Sequence, residues 1–253
     1  MTNAKPPEIS VIVTNFNHAR YIEQAIHSIL NQSLADFEVI IVDDCSTDDS
    51  RDVIEKLARE DTARIRPPIY LPKNSGKWFA LNTGIASAGG SLIALQDADD
   101  ASCPERLGHQ RAILKYENSF HNLCGFTHCY SQADMDRAVE WKSPGGFAPP
   151  YPTMNHREVV EKVYRGFKTP GINHYFVGED YEVHGASTLF YRQLWETGMK
   201  FLPGNMGLRC QKAEDSDHNT KMTLLLQKTS VLKEPLYAYR RNTSTNPAYL
   251  EGL

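Results

Sequence analysis

The feature that most limits what this chain can fold into is an alternation of apolar runs with stretches of helical periodicity. Ile9 to Val13 is one such run, and Ile22, Ala25, Ile26, Ile29 and Leu30 then recur along one helix face. The unit repeats. FEVIIV (37–42) predicts a buried strand, and Val53, Ile54, Leu57 and Ala58 give the next helix its apolar stripe, with Ser46 and Asp49 resembling a capping box ahead of it. A third strand near Ile65 to Leu71, a helix from about Gly76 to Ala86 and a strand at Leu92 to Leu95 continue the series. Alternation of this kind predicts an α/β fold, a mostly parallel central sheet with helices on both faces.

Sheets of this type bind ligands outside the carboxyl ends of their strands. The polar clusters fall there: Thr14-Asn15-Phe16-Asn17, Asp43-Asp44 and Gln96 to Asp100, so three strand ends are expected to converge on one crevice. The Pro- and Gly-rich stretch WKSPGGFAPPYPT (141–153) predicts a long loop between a nucleotide half and a second half. Beyond it, GASTLFYRQLW, AEDSDHNTKMTLLLQ and SVLKEPLYAYRRN predict a strand leading into a short helix, then a helix and a closing strand.

At 253 residues and 41% hydrophobic content the chain can bury the core of one large domain or of two subdomains sharing a sheet. Its net charge of -4 argues against a protein that binds nucleic acid by neutralising phosphates. No apolar run reaches bilayer length, and the opening MTNAKPPEIS lacks the basic-then-apolar order of a signal peptide, so the expectation is a cytoplasmic chain with no transmembrane segment. Five cysteines, an odd number, fit reduced thiols better than a disulfide framework.

The chemistry concentrates in LIALQDADDASCPERL (92–107), where Asp97, Asp99 and Asp100 crowd three carboxylates into four positions. Carboxylates at the end of a buried strand suffer desolvation and mutual repulsion unless a cation joins them, and hard divalent ions take such oxygen ligands. In D-A-D, Asp97 and Asp99 project to the same side of an extended chain, where either can meet one ion. The alternative is a solvated acidic turn capping a helix that begins near Pro104. Asp43 and Asp44 end a different strand; Asp44 can accept the imide N–H of a uracil or thymine ring, or cap a helix beginning near Thr47. Glu214-Asp215-Ser216-Asp217 opens a helix, either as acid complementing the macrodipole or as a general base that takes a proton from an attacking hydroxyl.

Together, SVIVTNFNHARYIEQAIHSILNQSLADFEVIIVDDCSTDDS, NSGKWFALNTGIASAGGSLIALQDADDASCPERL, AEDSD and EPLYAYRRN resemble a family 2 glycosyltransferase of the GT-A fold. The resemblance is dense over 9–116 and resumes in patches over 184–242. It implies a single GT-A domain over 1–253, with a nucleotide-sugar-binding half (9–116), an acceptor and catalytic-base half (117–242) and a C-terminal tail (243–253). It also implies inverting transfer of a sugar from a nucleotide diphosphate, UDP or dTDP favoured, with Mg2+ or Mn2+. By position, Thr14 and Phe16 would line the nucleoside pocket and Asp44 would bind the base. Asn74, Gly76 and Asn82 would lie along the donor. Asp97 and Asp99 match the DxD motif, with Asp99 the direct metal ligand, and Asp215 matches the catalytic base, with Glu214 beside it. The acceptor would be a saccharide, a lipid-linked species or a glycoconjugate, met at the inner face of a membrane if lipid-linked.

The chain departs from the family pattern in two places. Lys77-Trp78-Phe79 stands where many relatives carry a basic residue before the second Asn, so Lys77 either reaches the diphosphate or is solvated. The late Tyr-Arg-x-His pattern reads Tyr239-Arg240-Arg241-Asn242, leaving Arg240 or Arg241 as diphosphate contacts in place of the His. His184, before Gly185-Ala186-Ser187, either faces the acceptor, as that position does in similar enzymes, or is a plain buried or surface histidine. Trp141, Phe147, Tyr151 and Tyr175 either stack on an acceptor sugar or pin their loops to the core. His121, Cys124, His128 and Cys129 match no common zinc spacing. A sugar nucleotidyltransferase would need a Gly-rich loop after the first strand, which TNFNHAR lacks; a non-catalytic nucleotide-sugar-binding homologue is the other alternative.

Overall fold

The computed structural model describes residues 5–144, 147–149, 151, 153–154, 156–161, 176–177, 182–203, 214–226 and 228–241, with backbone alone at 176–177, 182–184 and 214–217. The 243–253 tail and Tyr175 lie outside the described residues. The chain begins β1 (Ile9–Asn15), α1 (Ile22–Leu30), β2 (Phe37–Asp43), α2 (Ser50–Glu60), β3 (Ile69–Tyr70), α3 (Lys77–Ala86) and β4 (Leu92–Asp97). It continues with β5 (Ala101–Ser102), α4 (Arg106–Tyr116), β6 (His121–Cys129), α5 (Gln132–Val139), β7 (Thr153–Met154) and β8 (Phe176–Val177). It ends with β9 (Glu182–Tyr191), α6 (Arg192–Glu196), α7 (Glu214–Leu225) and β10 (Thr229–Arg240).

The first three long strands are mostly apolar because both of their faces are covered. Ile9, Val11 and Val13 of β1, Val39 and Ile41 of β2 and Leu92 and Ala94 of β4 pack with Ile22, Ile26 and Ile29 of α1, Ile54 and Leu57 of α2 and Leu107 and Leu114 of α4. Their neighbours Ile12, Ile40, Val42, Ile93 and Leu95 point the other way, onto Ala80, Leu81 and Ile85 of α3. Each such aliphatic side chain contributes roughly 1.5–3 kcal/mol of transfer free energy on burial. Gly84 lets α3 approach the sheet closely: a Cβ there would stand 2.5 Å from Ile12 Cγ2.

The strands form one sheet in the order β3-β2-β1-β4-β9-β6-β10-β5, with β7 on β10 and β8 on β9. β3, β2, β1 and β4 are parallel, as the repeated strand-helix units require. β9 then enters antiparallel between β4 and β6, so the second half is mixed rather than parallel. The third strand is shorter than the expected Ile65 to Leu71. Ile65 makes only an isolated bridge to Val39, because Pro67 and Pro68 remove the donors a longer ladder needs.

The capping box expected at Ser46 and Asp49 does not form, and α2 starts at Ser50 without a side-chain cap. Ser46 is spent elsewhere, donating its hydroxyl to Asp43 at 2.5 Å. A reciprocal box is found instead at Ser131 and Asp134, at the start of α5.

Candidate active site

The carboxyl ends of β1, β2 and β4 lie side by side, with Asn15 paired to Asp43 and Thr14 to Asp97 in register. Thr14 is buried, and Phe16 follows it half-buried just beyond the strand. The turns beyond β1 and β2 are stitched together by side chains. Asn15 Nδ2 donates to Asp43 Oδ1 (2.7 Å), the Asn17 amide to Ser46 Oγ (2.9 Å) and the Thr47 amide to Asn17 Oδ1 (2.7 Å). Asn17 and Cys45 hold left-handed backbone at φ 59° and 63°, conformations that these hydrogen bonds must support.

Asp44 ties β2 to the start of α3. Its two carboxylate oxygens accept the backbone N–H of Ser75 (2.7 Å) and of Gly76 (2.8 Å). Burial still pushes its carboxyl above the ordinary value; the two amide bonds oppose that shift and the Asp43 charge adds to it. Gly76 sits at φ +87°, where a side chain would be strained, and a Cβ would stand 3.1 Å from the Trp78 ring. Asn74 is exposed on the approach to this turn. Asn82, further along α3, uses its carboxamide on the second half: Nδ2 donates to the Phe201 carbonyl (2.8 Å) and Oδ1 accepts from Trp195 Nε1 (2.7 Å).

At the end of β4 the structure brings together Asp97, Asp99 and Asp100, with one oxygen of each within 4.8 Å of the others. This is the one group of three metal-capable side chains among the described residues. Asp100 is fully buried. Its Oδ1 accepts the Arg240 amide (2.8 Å), whereas its Oδ2, also buried, has no hydrogen-bond partner. Burial, then the charges of Asp99 and Asp97, push the Asp100 carboxyl well above the usual carboxylate range. Three hard oxygen donors, one left without a proton donor, fit a divalent ion such as Mg2+ or Mn2+ and suit a softer metal poorly. Lys77, at the first position of α3, places Nζ 2.7 Å from Asp97 Oδ1 and 2.9 Å from Oδ2.

Arg240 braces this turn from beneath. Its Nε donates to the Asp99 carbonyl (2.9 Å), and its guanidinium lies 4.7 Å from the Tyr21 ring centre and bonds Gln132 and Gln24. Arg241 has its amide on Cys129 and its guanidinium over Tyr239. Sequence reasoning missed the residues below the cluster. Arg106 is fully buried, donating to Gln110, Gln96 and Ser102 side chains and to the carbonyls of Leu95, Ala186 and Thr188. Tyr237 lies over its guanidinium and accepts the Asp97 amide. The signal in the sequence is three amides, Gln96, Gln110 and Asn122, at positions that fold into the interior.

In the second half, residues 214 and 215 open α7, while the side chains of Glu214 and Asp215 lie outside the described residues, as does that of His184 in β9. The helix is anchored one turn later. Asn219 Nδ2 donates to the Gly185 carbonyl (2.8 Å) and His218 Nε2 meets the Met199 carbonyl (3.0 Å), which sets the start of α7 beside β9. His121, buried on β6, contacts Thr188, Thr229 and Asn219, and Cys124 and Cys129 are buried free thiols, so no zinc cluster gathers here among the described residues. Phe147 stacks on His109 (centroids 3.6 Å apart) and on Tyr151, which meets Tyr116 edge-on, while Trp141 packs on the core. These aromatics pin their loop.

The glycosyl transferase family 2 model matches residues 10–175, and the chain belongs to that family. Among solved structures, Staphylococcus aureus TarS (residues 1-349, in complex with UDP) superposes at TM-score 0.63 and 21% identity over 92% of this chain and 60% of that one. The mannosyltransferase PcManGT of Pyrobaculum calidifontis, in complex with GDP-Man and Mn2+, gives 0.59 and 17% over 98% and 60%. The fold is therefore the GT-A fold of glycosyltransferases. A Campylobacter jejuni relative, GalNAc(5)-diNAcBac-PP-undecaprenol beta-1,3-glucosyltransferase, is 37% identical over 118 residues, 46% of this chain and 38% of that protein. The chain spans about half the length of the curated relatives it matches first.

Proposed function

We propose that this chain is an inverting glycosyltransferase that moves a sugar from a nucleotide diphosphate donor to a hydroxyl of a saccharide acceptor, with the donor bound by residues 9–116 and the acceptor by 117–242. The observation that carries this reading is the trio Asp97, Asp99 and Asp100, with its unanswered Asp100 Oδ2, at the carboxyl end of β4 in a family 2 chain. Asp99 and Asp97 would hold Mg2+ or Mn2+; the ion when bound supplies positive charge to the leaving diphosphate. Mn2+ in the PcManGT structure supports that choice.

Thr14 and Phe16 line the nucleoside pocket, and Asn74 and Gly76 run along the donor. Asp44 keeps lone pairs beyond those used by Ser75 and Gly76, which can take the imide N–H of uracil or thymine; this favours UDP or dTDP, and the UDP bound to TarS supports it. Lys77, already at the cluster, stands where a diphosphate would bring new negative charge. Asp215, opening α7, takes the proton of the attacking hydroxyl, so a single displacement inverts the anomeric centre. Glu214, His184 and Arg241 are acceptor-side or diphosphate contacts, and Arg240 secures the turn that carries Asp99. The name of the Campylobacter relative favours a lipid-linked acceptor, met at a membrane surface. No helix among the described residues is long and apolar enough to cross a membrane.

The test is thermal stabilisation by UDP, dTDP, GDP and CMP, each with and without Mn2+. One nucleoside diphosphate should raise the melting temperature in a Mn2+-dependent way. Stabilisation by none of them sinks the donor reading. Asp215→Asn should abolish transfer and spare donor stabilisation; surviving transfer would remove Asp215 as the base.

A further inference from the structure

Tyr237 is a fully buried residue of β10, more than a hundred residues from β4 in sequence. Its oxygen accepts the Asp97 amide N–H at 3.2 Å and lies 3.5 Å from Gln96 Nε2, so incoming donors occupy its lone pairs. Asp100 lies close enough for Tyr237 to oppose the upward pull of burial on its carboxyl. On its other side the ring faces Arg106, whose guanidinium carbon is 4.9 Å from the ring centre. Arg106 cannot move. Its N–H groups are divided among Gln110, Gln96, Ser102 and three backbone carbonyls, tying the end of β4 and the middle of β9 to α4.

We infer that Tyr237, backed by Arg106, is a positioning residue for the carboxylate cluster: one hydroxyl fixes the backbone at Asp97 and stands against Asp100, setting the spacing at which Asp97, Asp99 and Asp100 meet a divalent ion. The inference rests on the metal site proposed above and adds to it a group that touches neither ion nor substrate. Partners of this kind orient carboxylate ligands, and their loss typically weakens metal binding about 10–100-fold.

The experiment titrates Mn2+ into the protein, in the presence of UDP and separately of GDP, and follows the free ion by electron paramagnetic resonance. Tyr237→Phe keeps the ring on Arg106 and deletes only the hydroxyl; Mn2+ binding should weaken by about tenfold or more. Ser230→Ala deletes another buried hydroxyl, bonded to Ser119 and Asn122, and should leave Mn2+ affinity within about twofold. In turnover, the Tyr237→Phe defect should fall on the Mn2+ concentration required and shrink at saturating Mn2+. Unchanged Mn2+ affinity in Tyr237→Phe, or an equal loss in Ser230→Ala, overturns the inference. If the unsubstituted protein binds no Mn2+, the metal reading itself falls and takes the inference with it. Should Tyr237→Phe not fold, 3-fluorotyrosine at position 237 replaces it: its fluorine resonance must shift on Mg2+ addition, and a resonance that stays put overturns the inference.

Discussion

The acids at the end of β2 and the acids at the end of β4 begin alike, with an aspartate closing a buried strand and more acid just beyond it, yet the fold completes one set and leaves the other open. Asp43 receives the Asn15 amide, the Ser46 amide and the Ser46 hydroxyl, and Asp44 receives two backbone N–H groups from the start of α3. At β4, three carboxylates bring one oxygen each within 4.8 Å of the others, and the buried Asp100 Oδ2 has no hydrogen-bond partner. Buried acceptors are normally answered. The difference separates an acidic pair whose oxygens the fold already engages from an acidic group that, on the proposed function, takes up a cation.

The largest effect that would sharpen this contrast is expected from Asp99→Ala. Transfer should fall roughly 100-fold or more, since electrostatic stabilisation of the leaving group is lost. Mn2+-dependent stabilisation by nucleotide should vanish, while the melting temperature without metal holds or rises, because a like charge has left the cluster. A metal-free melting temperature that drops by several degrees would mean that Asp99 is a structural acid like those of β2.

A second buried polar centre offers a control in which the protein supplies every partner. His121 contacts Thr188, Thr229 and Asn219, and burial, with His218 adding to it, lowers its imidazole to about 3. The unfolded chain takes up that proton near pH 6.5 and the folded one does not. The stability from neutral His121 is thus complete above pH 6.5 and is lost as the pH falls toward 3, at up to about 1.4 kcal/mol per pH unit. Urea unfolding from pH 7 to 4 should show this slope, reduced by one proton in His121→Asn. An unchanged slope in the variant would break the assignment.

Asp43→Ala should act on stability at β2, not on metal. Removing the carboxylate leaves the Asn15 amide and the Ser46 amide and hydroxyl without their acceptor, at about 1–3 kcal/mol for each buried group left unpaired. Denaturant unfolding measures the loss. Mn2+ affinity of the folded variant should match the original; a tenfold fall would merge the two acidic regions into one site.

Why the sequence exposed the open site and hid its support follows from distance along the chain. The strand-end clusters are local: each lies within a few residues of an apolar run whose burial is fixed by composition, so the run itself assigns Asp97 and Asp99 to a strand end. Arg106 reads locally as a solvated helix residue. Its burial depends on the carbonyls of Ala186 and Thr188, 80 and 82 residues away, and that of Tyr237 depends on β10 reaching the end of β4. The short β3 and the unused capping box at Ser46 have the same cause. Local propensity expected a longer strand and a cap, whereas prolines and a hydrogen bond to Asp43 decided otherwise. The antiparallel entry of β9 is a matter of chain reversal far from β4, which no periodicity within β9 encodes.

The smallest expected effect lies at Lys77, where the two regions meet, since α3 begins at the turn held by Asp44 and delivers its first side chain to Asp97. The Lys77–Asp97 pair is partly exposed, so its net contribution to stability should be below about 1 kcal/mol. Its consequence for binding is larger than its consequence for folding. An ammonium 2.7 Å from Asp97 Oδ1 competes with any metal for that oxygen. Lys77→Met should therefore leave the melting temperature nearly unchanged and strengthen Mn2+ binding severalfold when no nucleotide is present. With nucleotide the sign should reverse for the donor, because on the proposed function the same ammonium meets the diphosphate: UDP affinity should weaken even as the metal binds better. Mn2+ binding that weakens in Lys77→Met without nucleotide would show that the ammonium organises the cluster instead of competing for it, and would place the end of β4 nearer to the completed acids of β2 than the geometry implies.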